Sequence, residues 1–281
     1  PSIYLLEASL FLFLALKNSY NNTLINFNFF TVLMKGTFVM IDGVDGCGKG
    51  TVTTALRRYE EKKGKRILDL REYWQEHSTI PELEEVKDYE VIISNEPTFA
   101  YVGKAIREEI IRKNEKRKYS GISTAHAFSL DREILYKRLL VPALEAGKTI
   151  FQERGVISSL VYQPVQLEQI SLMDLMKLPG NAFAIKYAPS LLLIIDIDPD
   201  VAIKRLKERK KQDNAIFEEI LFLRKIAARY KSEWIQKVFE KGGTKIVYID
   251  TNPPATVEDT ERKVIDIWEK YNNESTLVKH M

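Results

Sequence analysis

From residue 37 onward the chain carries six short runs of aliphatic and β-branched residues: 37–42 (TFVMID), 66–70 (RILDL), 90–94 (EVIIS), 149–152 (TIFQ), 191–196 (LLLIID) and 245–249 (KIVYI). They do not alternate apolar with polar as half-exposed strands do. Continuous apolar runs of this length predict strands buried on both faces, the condition of a parallel sheet covered by helices. The segments between them have helical period, and 51–63 reads as a helix that Gly64 stops. Strands alternating with helices predict an α/β fold, a doubly wound parallel sheet with helices on both faces. No internal repeat or low-complexity linker divides the chain after residue 34, so one domain over 34–281 is expected. The polar segment 71–88 carries Pro81 and the acidic cluster Glu82, Glu84 and Glu85. It reads as a surface excursion between two strands, with its carboxylates on a solvated helix face.

The turn after the first run is chemically specific. Gly43, Val44, Asp45, Gly46, Cys47, Gly48 and Lys49 fit the G-x-x-x-x-G-K spacing of a phosphate-binding loop, set between a strand and a helix. Glycines there let successive backbone N–H groups converge on phosphate oxygens, and the helix start adds positive potential. Lys49 is placed to bridge the terminal phosphates. The next residue ordinarily offers a hydroxyl to Mg²⁺. Here it is Gly50, and Thr51 one position on points elsewhere on a helix. Mg²⁺ keeps several waters and needs few protein ligands, so a carboxylate at another strand end can hold it through water. The ending G-K-G-T also resembles that of adenylate kinases.

Composition narrows the classes. Of 281 residues 45% are apolar and 29% charged, enough for a sizeable core and against a membrane protein. The formal net charge of +3 lacks the concentrated basic face that nucleic acid calls for. The single cysteine, Cys47, permits no intrachain disulfide and fits a reducing, cytoplasmic setting. His77, His126 and His280 show no metal-ligand spacing. The first 33 residues read differently. Residues 3–16 are apolar but contain Glu7, and they fall short of the ~20 residues of a membrane span. They also lack the basic flank and cleavage site of a signal peptide. Met34 directly precedes the first strand-like run, so 1–33 is expected to be upstream translation or a dispensable extension. A membrane-associating segment is the alternative.

Other residues bear on the same chemistry. Arg154 follows the 149–152 run, at the carboxyl edge where doubly wound sheets bind ligands, and an arginine there can grip a phosphate bidentately. Glu153 beside it is a candidate water-mediated Mg²⁺ ligand or, alternatively, a salt-bridge partner. Phe128 and Arg132 lie four apart on a helix and share a face. An aromatic plane with a forked donor suits a pyrimidine base, although a lone aromatic more often packs in the core.

Four blocks then stand in one order: 42–51 (DGVDGCGKGT), 95–107 (NEPTFAYVGKAIR), 127–132 (AFSLDR) followed by 141–147 (VPALEAG), and 151–163 (FQERGVISSLVYQ). Together they resemble the thymidylate kinase family, over roughly 34–270. The resemblance implies a P-loop nucleoside monophosphate kinase that transfers the γ-phosphoryl of ATP, with Mg²⁺, to dTMP. It implies that Arg154 holds the acceptor 5′-phosphate, that Phe128 stacks on thymine and that Arg132 bonds the base edge. It places Tyr162 against the sugar, Asp45 near the 3′-hydroxyl, and Ser159 and Gln163 in the acceptor site. The family's mobile lid matches 198–214 (DPDVAIKRLKERKKQDN), with its core at about 204–214. Arg205, Arg209, Lys210 and Lys211 there are candidate charge donors, and Arg209 is expected to act in transfer. Family members commonly form homodimers.

The departures cluster around the acceptor. The arginine of the family's REPGG block is Asn95 here, its glycine pair is Thr98-Phe99, and the tyrosine of DRY is Gly155. The glycine-rich stretch after YQ is replaced by 164–168 (PVQLE). These changes leave open a kinase for dUMP, dCMP or a deoxynucleoside, and Gly50 with Asn95 leaves open a non-catalytic nucleotide-binding regulator.

Overall fold

The computed structural model describes residues 35–112, 117–166, 170–208 and 220–279, with side chains through 274. The expected extension over 1–33 lies outside the described residues. Among the described residues no helix is long and apolar enough to cross a membrane.

The six apolar runs form six strands: β1 (Thr37–Gly43), β2 (Ile67–Asp69), β3 (Val91–Asn95), β4 (Thr149–Glu153), β5 (Leu191–Asp196) and β6 (Lys245–Asp250). All pair in parallel, in the order β2-β3-β4-β1-β5-β6. The central strands β1, β4 and β5 are buried nearly throughout, which explains their unbroken apolar runs. The edge strand β6 is half-exposed. Strand β2 is shorter than the 66–70 run because Asp69 caps the next helix, its side chain accepting from Arg71 N at 2.9 Å.

Helix α1 (Lys49–Lys62) joins β1 to β2. It begins two residues before the expected start, because Gly48 at φ 103° is its N-cap and turns the chain directly into the helix. Helix α2 (Leu70–Glu76) and a 3₁₀ turn (Leu83–Val86) fill the excursion. Trp74 and Ile80 are buried, so the excursion contributes to the core as well as to the surface. Its acidic residues are exposed, as expected, yet Glu82 and Glu85 also close a capping box on the turn, and Glu82 pairs with Arg138 at 3.0 Å.

Between β3 and β4 run α3 (Tyr101–Ala105), continuing as a π-helical turn (Ile106–Ile111), then α4 (Gly121–Leu135), a second π-helical turn (Tyr136–Leu140) and α5 (Val141–Glu145). Helices α6 (Val156–Gln166), α7 (Leu172–Lys177) and α8 (Pro179–Lys186) join β4 to β5. Helices α9 (Pro199–Glu208), α10 (Ile220–Tyr230) and α11 (Glu233–Glu240) join β5 to β6, and α12 (Val257–Lys279) closes the chain.

With right-handed crossovers, the step from β1 out to β2 puts α1 on one face, and the remaining steps run the other way and put α2–α11 on the opposite face. Helix α12 returns to pack on α1. Its fully buried Trp268 meets Phe151 of β4 edge-on, with centroids 5.2 Å apart, and donates Nε1–H to Glu60 of α1 at 2.6 Å. The winding direction reverses beside β1. The crevice at the carboxyl ends of β1 and β4 is therefore the switch point where such sheets bind ligands.

Candidate active site

The loop from β1 to α1 meets the ends of β4 and β5 at this crevice. Gly43 sits at φ 148°, where a Cβ would stand 2.5 Å from the Ile195 carbonyl oxygen, so only glycine lets β1 turn so close to β5. Lys49 lies buried under the loop. Its Nζ donates to the carbonyls of Gly43 at 3.1 Å and Val44 at 2.8 Å, which holds the ammonium where phosphate oxygens would meet it. Val44 and Cys47 point inward, and burial pushes the Cys47 thiol above its ordinary pKa. Gly46 and Gly48 also take positive φ, while Thr51 lies in the first turn of α1 and is half-buried.

Gly50 opens a specific space. A Cβ there would lie 3.8 Å from Glu153 Oε2, so the carboxylate at the end of β4 stands over the position where a hydroxyl side chain is missing. Arg71 of α2 faces the same carboxylate at 3.9 Å. Arg71 is itself oriented by Asp69, through Nε at 2.9 Å and Nη2 at 2.6 Å.

Arg154 follows Glu153 with φ 65°, a left-handed conformation costly for a side-chain-bearing residue, while its N–H still bonds Ile41 O at 2.8 Å. This turn aims the guanidinium across the crevice into an ion pair with Asp45 and over the Tyr162 ring at 5.7 Å. Burial works against both charges. The pair overrides it, holding Asp45 below the usual carboxylate range, aided by Lys49, and raising Arg154 further. Tyr162 OH donates to Asp45 at 3.3 Å. The structure thus brings Lys49, Asp45, Arg154 and Tyr162 to one place from the start of α1, the β1–α1 loop, the end of β4 and α6.

Phe128 sits half-buried on α4, one turn before Arg132. Arg132 differs from the expectation of a contact free to read a base edge. It is fully buried, with Nε and Nη2 on Glu96 at 2.8 and 2.7 Å, Nη1 on Asn181, and Nη2 on Ser159 at 3.0 Å. Ser159 therefore enters the site through Arg132. Gln163 is buried, with its Oε1 lacking a protein partner among the described residues, an acceptor available to a ligand. Arg205 donates to Thr251 O at 2.7 Å, at the end of β6. Arg209, Lys210 and Lys211 lie outside the described residues, as do most of the 204–214 lid and Leu167 and Glu168.

Sequence reasoning missed several residues. Asp42 is fully buried and accepts from Gly43 N, Ser158 and Tyr230. Glu96 anchors Arg132 and also accepts from Gln152 at 2.8 Å. Asp131 fixes Thr98 through its N–H at 2.8 Å and its hydroxyl at 2.6 Å, and Arg107 stacks over Phe99 at 3.5 Å while bonding Asn95 at 2.7 Å. The substituted positions Asn95, Thr98 and Phe99 are therefore each tied down. A usable signal existed for Asp42 and Glu96, since both are carboxylates at the ends of apolar strands, where charge requires a partner.

Residues 75–264 match the family model of thymidylate kinase. The thymidylate kinase of Caldicellulosiruptor saccharolyticus is 30% identical over 236 residues, 83% of this chain and 97% of the relative. A probable thymidylate kinase of Thermococcus gammatolerans is 28% identical over 241 residues, 84% and 97% of the two chains. Among solved structures, the thymidylate kinase of Candida albicans superposes with a TM-score of 0.58 at 16% identity, covering 86% of this chain and 95% of that one. That of Ehrlichia chaffeensis gives 0.54 at 16% identity, with coverage of 83% and 98%.

The buried Glu96–Arg132 pair has a pH consequence. Burial pushes Glu96 up from 4.5 to about 7 against the attraction of Arg132. A carboxyl raised in the folded state stabilises the fold below its unfolded value, and that contribution is lost as pH rises through about 7. The unsubstituted chain should lose on the order of 3 kcal/mol relative to Glu96→Gln as the pH rises through this window. Urea unfolding at pH 5 and pH 8 checks it. Parallel pH profiles for the two proteins would mean that Glu96 stays ionised in the pair.

Proposed function

Because the chain belongs to the thymidylate kinase family, we propose that the crevice at the ends of β1 and β4 is where it transfers the γ-phosphoryl of ATP to dTMP, giving dTDP. The observation that carries the assignment of residues is the convergence of a phosphate loop, its buried Lys49, and the Asp45–Arg154–Tyr162 cluster on one strand edge.

The loop amides of 43–51 and Lys49 cradle the ATP phosphates. Arg154 turns from Asp45 toward the acceptor phosphate, gripping it as a planar, permanently charged fork. Asp45 and Tyr162 border the sugar, Phe128 offers its face to the base, and Gln163 offers its unpartnered Oε1 to the base edge. Arg132 acts from behind, fixing Ser159 and the α4–α6 spacing. Arg209 keeps the role its sequence position suggests, a positive charge for the moving phosphoryl group. The acceptor is already an oxyanion, so positioning and electrostatics suffice without a protein nucleophile.

The donor set suits Mg²⁺ held largely by water and phosphate. Glu153 is the carboxylate that faces the gap at Gly50, whereas Asp42 is consumed by three donors. When bound, Mg²⁺ neutralises phosphate charge. We infer a cytoplasmic homodimer without nucleic-acid or membrane partners. The exposed Ile122 and Leu130, eight apart and so on one face of α4, support self-association.

ADP release measured with ATP, Mg²⁺ and each nucleoside monophosphate tests the function. dTMP should be preferred, and equal rates with dCMP would overturn the acceptor assignment. Lys49→Ala should lower kcat by at least about a hundredfold with the fold intact by circular dichroism. An unaltered rate would remove Lys49 from the phosphate site. Glu153→Gln should raise the Mg²⁺ concentration needed for half-maximal rate roughly tenfold, and an unchanged Mg²⁺ titration would remove Glu153 from the metal site.

A further inference from the structure

The end of α10 carries three consecutive residues that each fasten a different element of the site. Arg229 donates Nη2–H to Leu160 O at 2.8 Å and Nε–H to Val161 O at 2.9 Å, both on α6. Pro164 explains the need: it lies inside α6 without an N–H, so the carbonyl four residues back, Leu160, loses its helical donor. Lys231 pairs with Asp196 at the end of β5 at 2.8 Å. Between them, the buried Tyr230 reaches the end of β1 and donates to Asp42 Oδ1 at 2.7 Å. Tyr248 of β6 holds the Tyr230 carbonyl at 3.0 Å.

Asp42 is the element shared by donor and acceptor sides. Its carboxylate accepts from Gly43 N, the first amide of the phosphate loop, at 2.8 Å. It also accepts from Ser158 of α6 at 2.9 and 2.8 Å, and Ser158 stands 3.4 Å from Arg154 Nη1. These bonds already satisfy a buried carboxylate. The Tyr230 bond therefore adds constraint more than satisfaction. It stops Asp42 from rotating, and so fixes where Gly43 and Ser158 stand relative to each other. The Tyr230 ring is braced edge-on against Tyr162, centroids 6.4 Å apart, so the hydroxyl has little freedom to swing away. Burial, and then the Asp42 charge, raise the pKa of that hydroxyl, which favours its protonated, donating form.

We propose that Tyr230 is a positioning residue for phosphoryl transfer: acting through Asp42, it sets the distance and angle between the phosphate loop and the acceptor helix α6, with Arg229 and Lys231 anchoring the helix end that carries it. The proposal rests on the kinase reading above. Neither substrate needs Tyr230 to bind by itself. Transfer needs it, because reacting atoms must meet within a narrow range, and a small misalignment costs rate without costing affinity.

Tyr230→Phe tests this, since it keeps the ring and its packing and removes one hydroxyl. The kcat for dTDP formation should fall by on the order of tenfold to a hundredfold, while dissociation constants for ATP and for dTMP, measured singly by calorimetry, stay within about twofold. A merely structural tyrosine would lower the melting temperature and leave kcat alone. A full kcat, or a loss matched by weaker binding of either nucleotide, overturns the proposal. Ser158→Ala supplies a second route. Because both hydroxyls act through Asp42, the double variant should be no slower than the slower single one, and additive losses overturn the proposal. An unsubstituted chain that makes no dTDP overturns the kinase reading and this inference with it; an active chain with an equally active Tyr230→Phe overturns the inference alone.

Discussion

A carboxylate taken out of water at the end of a central strand must be surrounded by donors, and Asp42 is that carboxylate. Its donors come from the phosphate loop, from α6 and from α10. One buried charge thus ties the phosphate loop, α6 and α10 together at a single point. Beside it, the Asp45–Arg154 pair applies the same logic across the crevice, and its charges reinforce each other where burial alone would suppress both. The site is built as two linked electrostatic knots on the carboxyl edge of a parallel sheet.

Local irregularities fall where these knots need them. Arg154 adopts a left-handed turn so that its side chain faces Asp45, and its backbone N–H still completes a bond to β1. Gly155 follows, where a Cβ would sit 2.4 Å from Met40 Cε, so a side chain there requires the methionine to move. Pro164 interrupts α6 just beyond Tyr162, and Arg229 repairs the break from another helix. The substituted acceptor block is stabilised in kind: Thr98 by Asp131, and Phe99 by Arg107. These are replacements with their own partners rather than vacancies in a decayed site.

The segment between α1 and β3 has a related role. Its short strand β2 extends the sheet, and Asp69 at the strand end both caps α2 and orients Arg71 toward Glu153. An excursion that looks merely polar in one dimension therefore supports the carboxylate that faces Gly50. The arrangement gives Gly50 a structural counterpart, since the space left by a missing side chain is faced by an acid from the neighbouring strand.

The amino-acid sequence by itself determined the six strands, their parallel burial and the phosphate loop, because each is encoded within a few consecutive residues: an unbroken apolar run, a glycine spacing, a lysine at a helix start. Element ends were less legible. Helix α1 starts at Lys49 because of the Gly48 dihedral, and β2 stops early because Asp69 serves as a cap. The roles of Arg132, Asp42 and Tyr230 were decided by tertiary structure alone. Tyr230 and Asp42 are 188 positions apart, and Arg132 meets Asn181 across 49. No local periodicity records which distant donor will face a buried charge. That choice is made when helices from different connections meet at the same strand edge, and only there does a tyrosine at the end of a helix become a partner of Asp42.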